Sequence, residues 1–172
     1  MIKFIGFILI VASTTALGFA YADNFKRRVR ELKELQRGVY ILKNEINFTH
    51  SLLPDALYKA SMKCALPIKD ILNNISELLL TNEEDSVYEC FRQSFKLYSE
   101  KLSLKEEDIS IILDLAKTLG ETDIEGHNDI FTLTLDSFEK AILKAELNEQ
   151  KNVKMYRYLG FSFGTMIAII LL

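Results

Sequence analysis

The sequence predicts an all-α fold: a six-helix antiparallel bundle flanked by an N-terminal transmembrane helix and a short C-terminal membrane segment. Three observations point there. Both ends of the 172-residue chain are apolar, while the middle is charged. Within the middle, apolar residues recur at three- and four-residue steps, and nothing in the pattern signals a sheet. Helix breakers are scarce, with two prolines and seven glycines in the whole chain. The expected organisation is residues 1–22 as the N-terminal transmembrane helix, 23–157 as a cytoplasmic helical bundle and 158–172 as a C-terminal hydrophobic membrane segment.

The first run, residues 4–22, is nearly uncharged. As a helix it measures about 28 Å, close to a hydrocarbon core of roughly 30 Å. Lys3 and the triplet Ala20-Tyr21-Ala22 would also suit a secretory signal peptide. The run is longer than the apolar core of such a peptide, and Lys26, Arg27, Arg28, Arg30, Lys33 and Arg37 follow it. Basic flanks prefer the cytoplasmic side, so the expectation is a retained anchor with its N-terminus outside. The closing run, 158–172, makes only about 22 Å of helix. Lys151, Lys154 and Arg157 flank it, and their stems can reach the interface. Both a span and a tilted re-entrant tail fit that length. Ala12, Ala16 and Ala20 share one helix face, and Gly160 and Gly164 form a G-x-x-x-G pair. These small residues are the candidate membrane-packing faces.

Between the ends, Phe25, Val29, Leu32, Val39, Leu42 and Ile46 stripe a long first helix that can continue straight from the first run. Pro54 suits the first turn of a second helix, with Ala56, Leu57 and Ala60 inward. Pro67 opens a third, striped by Ile68, Ile71, Leu72, Ile75 and Leu79. Ser86-Val87-Tyr88-Glu89 has the capping-box pattern and introduces Cys90, Phe91, Phe95, Tyr98 and Leu102. Ser103-Leu104-Lys105-Glu106 repeats the pattern ahead of Ile109, Ile112, Leu113, Ala116 and Leu119. Gly120 fits a left-handed helix stop. A last helix from about Asn128 turns Ile130, Leu133, Phe138, Ala141, Ile142 and Ala145 inward. The result is one bundle of about 135 residues, enough for a real core.

Chemistry-bearing residues are sparse. His50 and His127 lack metal-ligand spacing to a second ligand, and Cys64 and Cys90 form no C-x-x-C pattern. In a cytoplasmic domain the thiols are expected to be free. No glycine-rich phosphate loop occurs, so the chain is not expected to hydrolyse ATP, and no cofactor or metal is expected. The basic group at 26–37 is diluted by four acidic residues nearby, Asp23, Glu31, Glu34 and Glu45, and reads as a lipid-facing flank, not as a nucleic-acid surface. Glu83-Glu84-Asp85 is an acidic joint. Glu106, Glu107 and Asp108 fill a first helical turn, where negative charge suits the helix dipole. The polar corner 119–127 adds Glu121, Asp123 and Glu125. These six acidic residues are the candidate partner-docking positions, and no enzymatic site is expected.

Several segments together resemble the stage III sporulation protein AB family of endospore-forming bacteria. They are Gly6…Thr14-Thr15-x-x-Gly18-Phe19, Glu45-Ile46 closing the basic helix, His50-Ser51-Leu52-Leu53-Pro54-Asp55-Ala56, Leu119-Gly120…Asp123, and Leu159-Gly160-Phe161. The family commonly has Thr-Pro-Leu where this chain has Ser51-Leu52-Leu53, with Pro54 one step later. The resemblance implies a domain similar to the F-type inner-membrane platform protein of type II secretion and type IV pilus systems. It implies a place in the mother-cell membrane around the forespore, with the central domain facing the mother-cell cytoplasm. There the family serves a channel complex between the two cells. The implied partners are a cytoplasmic secretion-type ATPase, other membrane proteins of that complex and the lipid bilayer. The alternative is a homo-oligomeric membrane scaffold or adaptor with no ATPase contact.

Overall fold

The computed structural model describes residues 2–81, 84, 86–121 and 127–171. Its elements are α1 (Ile2–Asn47), α2 (Leu53–Ser61), α3 (Ile68–Thr81), α4 (Val87–Leu97), a 3-10 turn (Ser99–Lys101), α5 (Glu106–Glu121) and α6 (His127–Leu171). Among the described residues there are thus seven helices and no strand. Two compact units result: Met1–Val29 with Leu143–Leu172, and Arg30–Ile142.

The larger unit, Arg30–Ile142, is built around a continuous apolar interior. Leu32, Leu35, Val39 and Leu42 of α1 are buried at the three- and four-residue steps of one helix face. Helix α2 packs on α3, α3 on α4, and α4 on α5 and the 3-10 turn. Pro54 occupies the first turn of α2, where its missing N–H has no intrahelical acceptor to lose. Ser86 caps α4 by accepting a 3.3 Å hydrogen bond from the Glu89 N–H. Ala56, Leu57, Ile68, Ile71, Ile75, Phe91, Phe95, Ile112 and Ala116 fill the interior. Gly38 marks the closest approach: a Cβ there would stand 3.0 Å from Leu72 Cδ1 and 3.4 Å from Cys64 Sγ.

Polar cross-links fix the register of these helices. Ser76 Oγ donates to the Pro54 carbonyl at 2.8 Å, and Ser94 Oγ donates to Asn74 Oδ1 at 2.8 Å. Two carboxylates of α1 hold the joints between helices. Glu34 Oε2 accepts the Ala65 N–H at 2.8 Å, and Glu31 Oε2 accepts the Ser103 N–H at 2.7 Å. Joint amides lack ladder partners, and an unsatisfied buried N–H costs about 1–3 kcal/mol. Each carboxylate therefore pins a loop to the central helix.

The smaller unit pairs the first part of α1 with the last part of α6. Ala22, Val29, Ala145 and Val153 are its buried apolar residues among those described. The Tyr156 ring stacks on Tyr21 with centroids 5.9 Å apart and on Phe25 at 5.8 Å. Small buried residues and stacked rings make a narrow seam, and Leu9, Leu17, Phe19, Leu147, Tyr158 and Phe163 stay exposed.

Several expectations need correction. No helix among the described residues is long and apolar enough to cross a membrane. This overturns the transmembrane helix at 1–22 and the membrane segment at 158–172, and it argues against the lipid partner and the mother-cell-membrane placement that the resemblance implies. The apolar ends are not separate spanning helices; they are the tips of α1 and α6, which run on into charged sequence. Ser13, Thr14 and Thr15 interrupt the described part of the first tip, with Asp23 and Lys26 beyond, and Ser162 and Thr165 interrupt the second. Gly120 is not a left-handed stop; it lies inside α5, facing Val87 at 3.5 Å from a notional Cβ. The left-handed residue is His50, with φ 50°, just past α1, where the Ser51 N–H returns to the Glu45 carbonyl at 3.1 Å. In α6 the buried stripe is Phe131, Thr134, Phe138, Ile142 and Ala145, while Leu133 is 67% exposed.

Candidate partner-docking surfaces

The acidic turn at the start of α5 divides its carboxylates between two tasks. Asp108 is fully buried, and its Oδ2 accepts the Lys105 N–H at 2.9 Å. This is the returning half of a capping box, centred on Lys105 rather than on Ser103. Ser103 gives its own N–H to Glu31 instead. Asp108 is thus committed to the interior. Glu106 and Glu107 project outward and are exposed, with Lys105 Nζ 4.0 Å from Glu107 Oε1. The turn is held from both sides, by its own cap and by α1, and presents two adjacent carboxylates on fixed backbone.

The other candidates fall as follows. Glu121 is the last residue of α5, and its side chain lies outside the described residues, as do Asp123 and Glu125 altogether. In the acidic joint, Glu84 is half-buried, and Glu83 and Asp85 lie outside the described residues. Ala12, Ala16 and Ala20 are all exposed along α1, so that face is not covered by this chain. Gly160 and Gly164 lie within α6.

A second surface was not singled out by sequence reasoning. In the larger unit, α1 and α6 border a groove of about 510 Å³. Lys33 and Arg37 line its α1 wall; Asp136 and Glu139 line its α6 wall. Tyr40, 57% exposed, and Leu135 also line it. Lys43 Nζ bridges the two helices through Thr132 Oγ1 at 3.0 Å. The available signal was spacing: Lys33 and Arg37 lie four apart, and Asp136 and Glu139 three apart, so each pair shares a helix face.

The remaining reactive groups have structural settings. Cys64 and Cys90 are free and buried. Burial pushes the Cys64 thiol up to about 11 and raises that of Cys90 as well, which keeps both protonated and unreactive at neutral pH. Glu45 accepts from Lys59 Nζ at 2.7 Å and from Ser51 Oγ at 3.1 Å. The Lys59 hydrogen bond holds the Glu45 carboxyl below its ordinary value. This cluster ties the end of α1 to α2. Among the described residues, no group of three or more His, Cys, Asp or Glu could hold a metal ion.

Comparison with known proteins accords with this architecture. The family model for stage III sporulation protein AB matches residues 3–172. The stage III sporulation protein AB of Bacillus subtilis (strain 168) is 29% identical over 172 residues, covering 100% of both chains. A solved structure of a stage III sporulation protein AB superposes with a TM-score of 0.67 at 25% identity, covering 73% of this chain and 98% of that one. The chain belongs to the stage III sporulation protein AB family.

Proposed function

We propose that the chain is a non-enzymatic component of the channel complex between mother cell and forespore, and that it couples a cytoplasmic secretion-type ATPase to other components of that complex. Family membership over residues 3–172 supports the sporulation role. The observation that carries the docking reading is the fixed acidic turn, where Glu106 and Glu107 face outward from a helix start anchored to α1. Paired carboxylates on rigid backbone favour a basic partner surface and steer its approach. No bond chemistry is required. Displacement of the α5 turn passes to α1 through the Ser103–Glu31 hydrogen bond.

Asp123 and Glu125 extend the same proposal to the corner between α5 and α6. Charge reversal of Glu106 and Glu107, and separately of Asp123 and Glu125, in the full chain is expected to reduce recovery of the ATPase in a pull-down at least tenfold, with the circular dichroism spectrum unchanged. Undiminished recovery with all four reversed rejects the acidic surface. The second reading, a homo-oligomeric scaffold with no ATPase contact, draws support from the two-signed α1–α6 groove. It is the reading left standing when the unaltered chain recovers no ATPase.

A further inference from the structure

The geometry points to a second copy of this chain as the occupant of the α1–α6 groove, docked about a two-fold axis so that Lys33 and Arg37 of each copy face Asp136 and Glu139 of the other. The groove carries opposite charges on its two walls, cations on α1 and carboxylates on α6. A uniformly acidic or basic partner would be attracted by one wall and repelled by the other. A two-fold rotation exchanges the walls, so a second copy meets an opposite charge along both.

The site has the other attributes of such a contact. Tyr40 stands at the groove with 57% of its surface exposed. A half-exposed tyrosine supplies rigid contact area with a polar tip, a combination enriched at interfaces. The volume of about 510 Å³ is wide enough to admit an aromatic side chain from the other copy. Two ion pairs on the walls are local, each formed within one helix. Arg37 lies 3.9 Å from Glu34, one turn away on α1, and Asp136 lies 2.7 Å from Lys140, one turn away on α6. Pairs of this kind contribute about 0–1 kcal/mol, so exchanging them for contacts across the two-fold costs little. The contact uses no residue of the acidic α5 turn, and it stands whether or not an ATPase binds there.

Contacts made mostly by rim charges are salt-sensitive, because screening acts over about 8–10 Å at physiological ionic strength. Sedimentation equilibrium of the full chain should therefore show self-association that weakens as salt rises. Lys33→Glu with Arg37→Glu should weaken it at least tenfold, and so should Asp136→Lys with Glu139→Lys. Mixing the two reversed proteins in equal amounts should restore association, since each then meets its complement along both walls. A chain that is monomeric at all concentrations overturns the proposal. So does association indifferent to both reversals, or a loss that mixing does not recover.

Discussion

The two units of this chain solve the burial problem to different degrees. In Arg30–Ile142, large side chains such as Leu32, Leu57, Ile71, Phe91, Phe131 and Phe138 are fully buried. In Met1–Val29 with Leu143–Leu172, the buried apolar residues among those described are Ala22, Val29, Ala145 and Val153, and larger ones such as Leu17, Phe19, Tyr158 and Phe163 lie at the surface. Apolar burial contributes about 25 cal/mol per Å² removed from water. The first unit therefore has the means to fold cooperatively, while the contacts of the second, among the described residues, are those of a helix pair joined by small residues and two ring stacks. Helix length is not the measure of stability here. The 46 residues of α1 and the 45 of α6 belong to both units, and only the part with neighbours on several sides is locked.

The largest test of this contrast is a side-chain truncation in each unit, buried in the first and exposed in the second. Phe138→Ala empties a fully buried site of the larger unit and should cost about 3–5 kcal/mol in urea unfolding. Glu31→Ala should cost about 1–3 kcal/mol, because it strands the Ser103 N–H that the carboxylate holds at 2.7 Å. The smallest effect belongs to the other unit: Tyr158→Ala, at a residue 73% exposed, should stay within about 0.5 kcal/mol of the unaltered chain. Equal losses for Phe138→Ala and Tyr158→Ala would erase the distinction between the units. A negligible loss for Glu31→Ala would remove that carboxylate as an anchor of the α4–α5 joint.

Local signals in the sequence were readable and long-range ones were not. The cap at Ser86, the proline in the first turn of α2 and the buried stripe of α3 follow from residue types within a few positions of one another. The second capping pattern misled because the competition for Ser103 comes from Glu31, 72 positions earlier. Glu31 and Glu34 looked like acidic dilution of a basic segment; only the fold shows that they hold the amides of two joints. The α6 stripe is legible at Phe138, Ile142 and Ala145, which are buried, but its first turns fall one residue later than expected, because Leu133 is apolar yet exposed while Thr134 is polar yet buried. Gly120 has the composition of a helix stop, but it continues α5 without a positive φ, and the left-handed backbone belongs to His50. Hydropathy at the two ends suggested spans; in the fold, those residues are extensions of α1 and α6.

The acidic candidates show the same limit. Glu106, Glu107 and Asp108 are alike in sequence, yet one is a buried cap and the other two face outward. The α1–α6 groove could not be read in advance, since its walls come from residues about a hundred positions apart.

Amide hydrogen exchange on the full chain, alone and with the secretion-type ATPase added, tests the central claim that Arg30–Ile142 holds both the stable fold and the partner surface. Alone, the slowest amides should lie in that unit. With the ATPase, exchange should slow at residues 103–110, the segment that presents Glu106 and Glu107. Slowing confined to Met1–Val29 and Leu143–Leu172, or no slowing anywhere, would contradict the account.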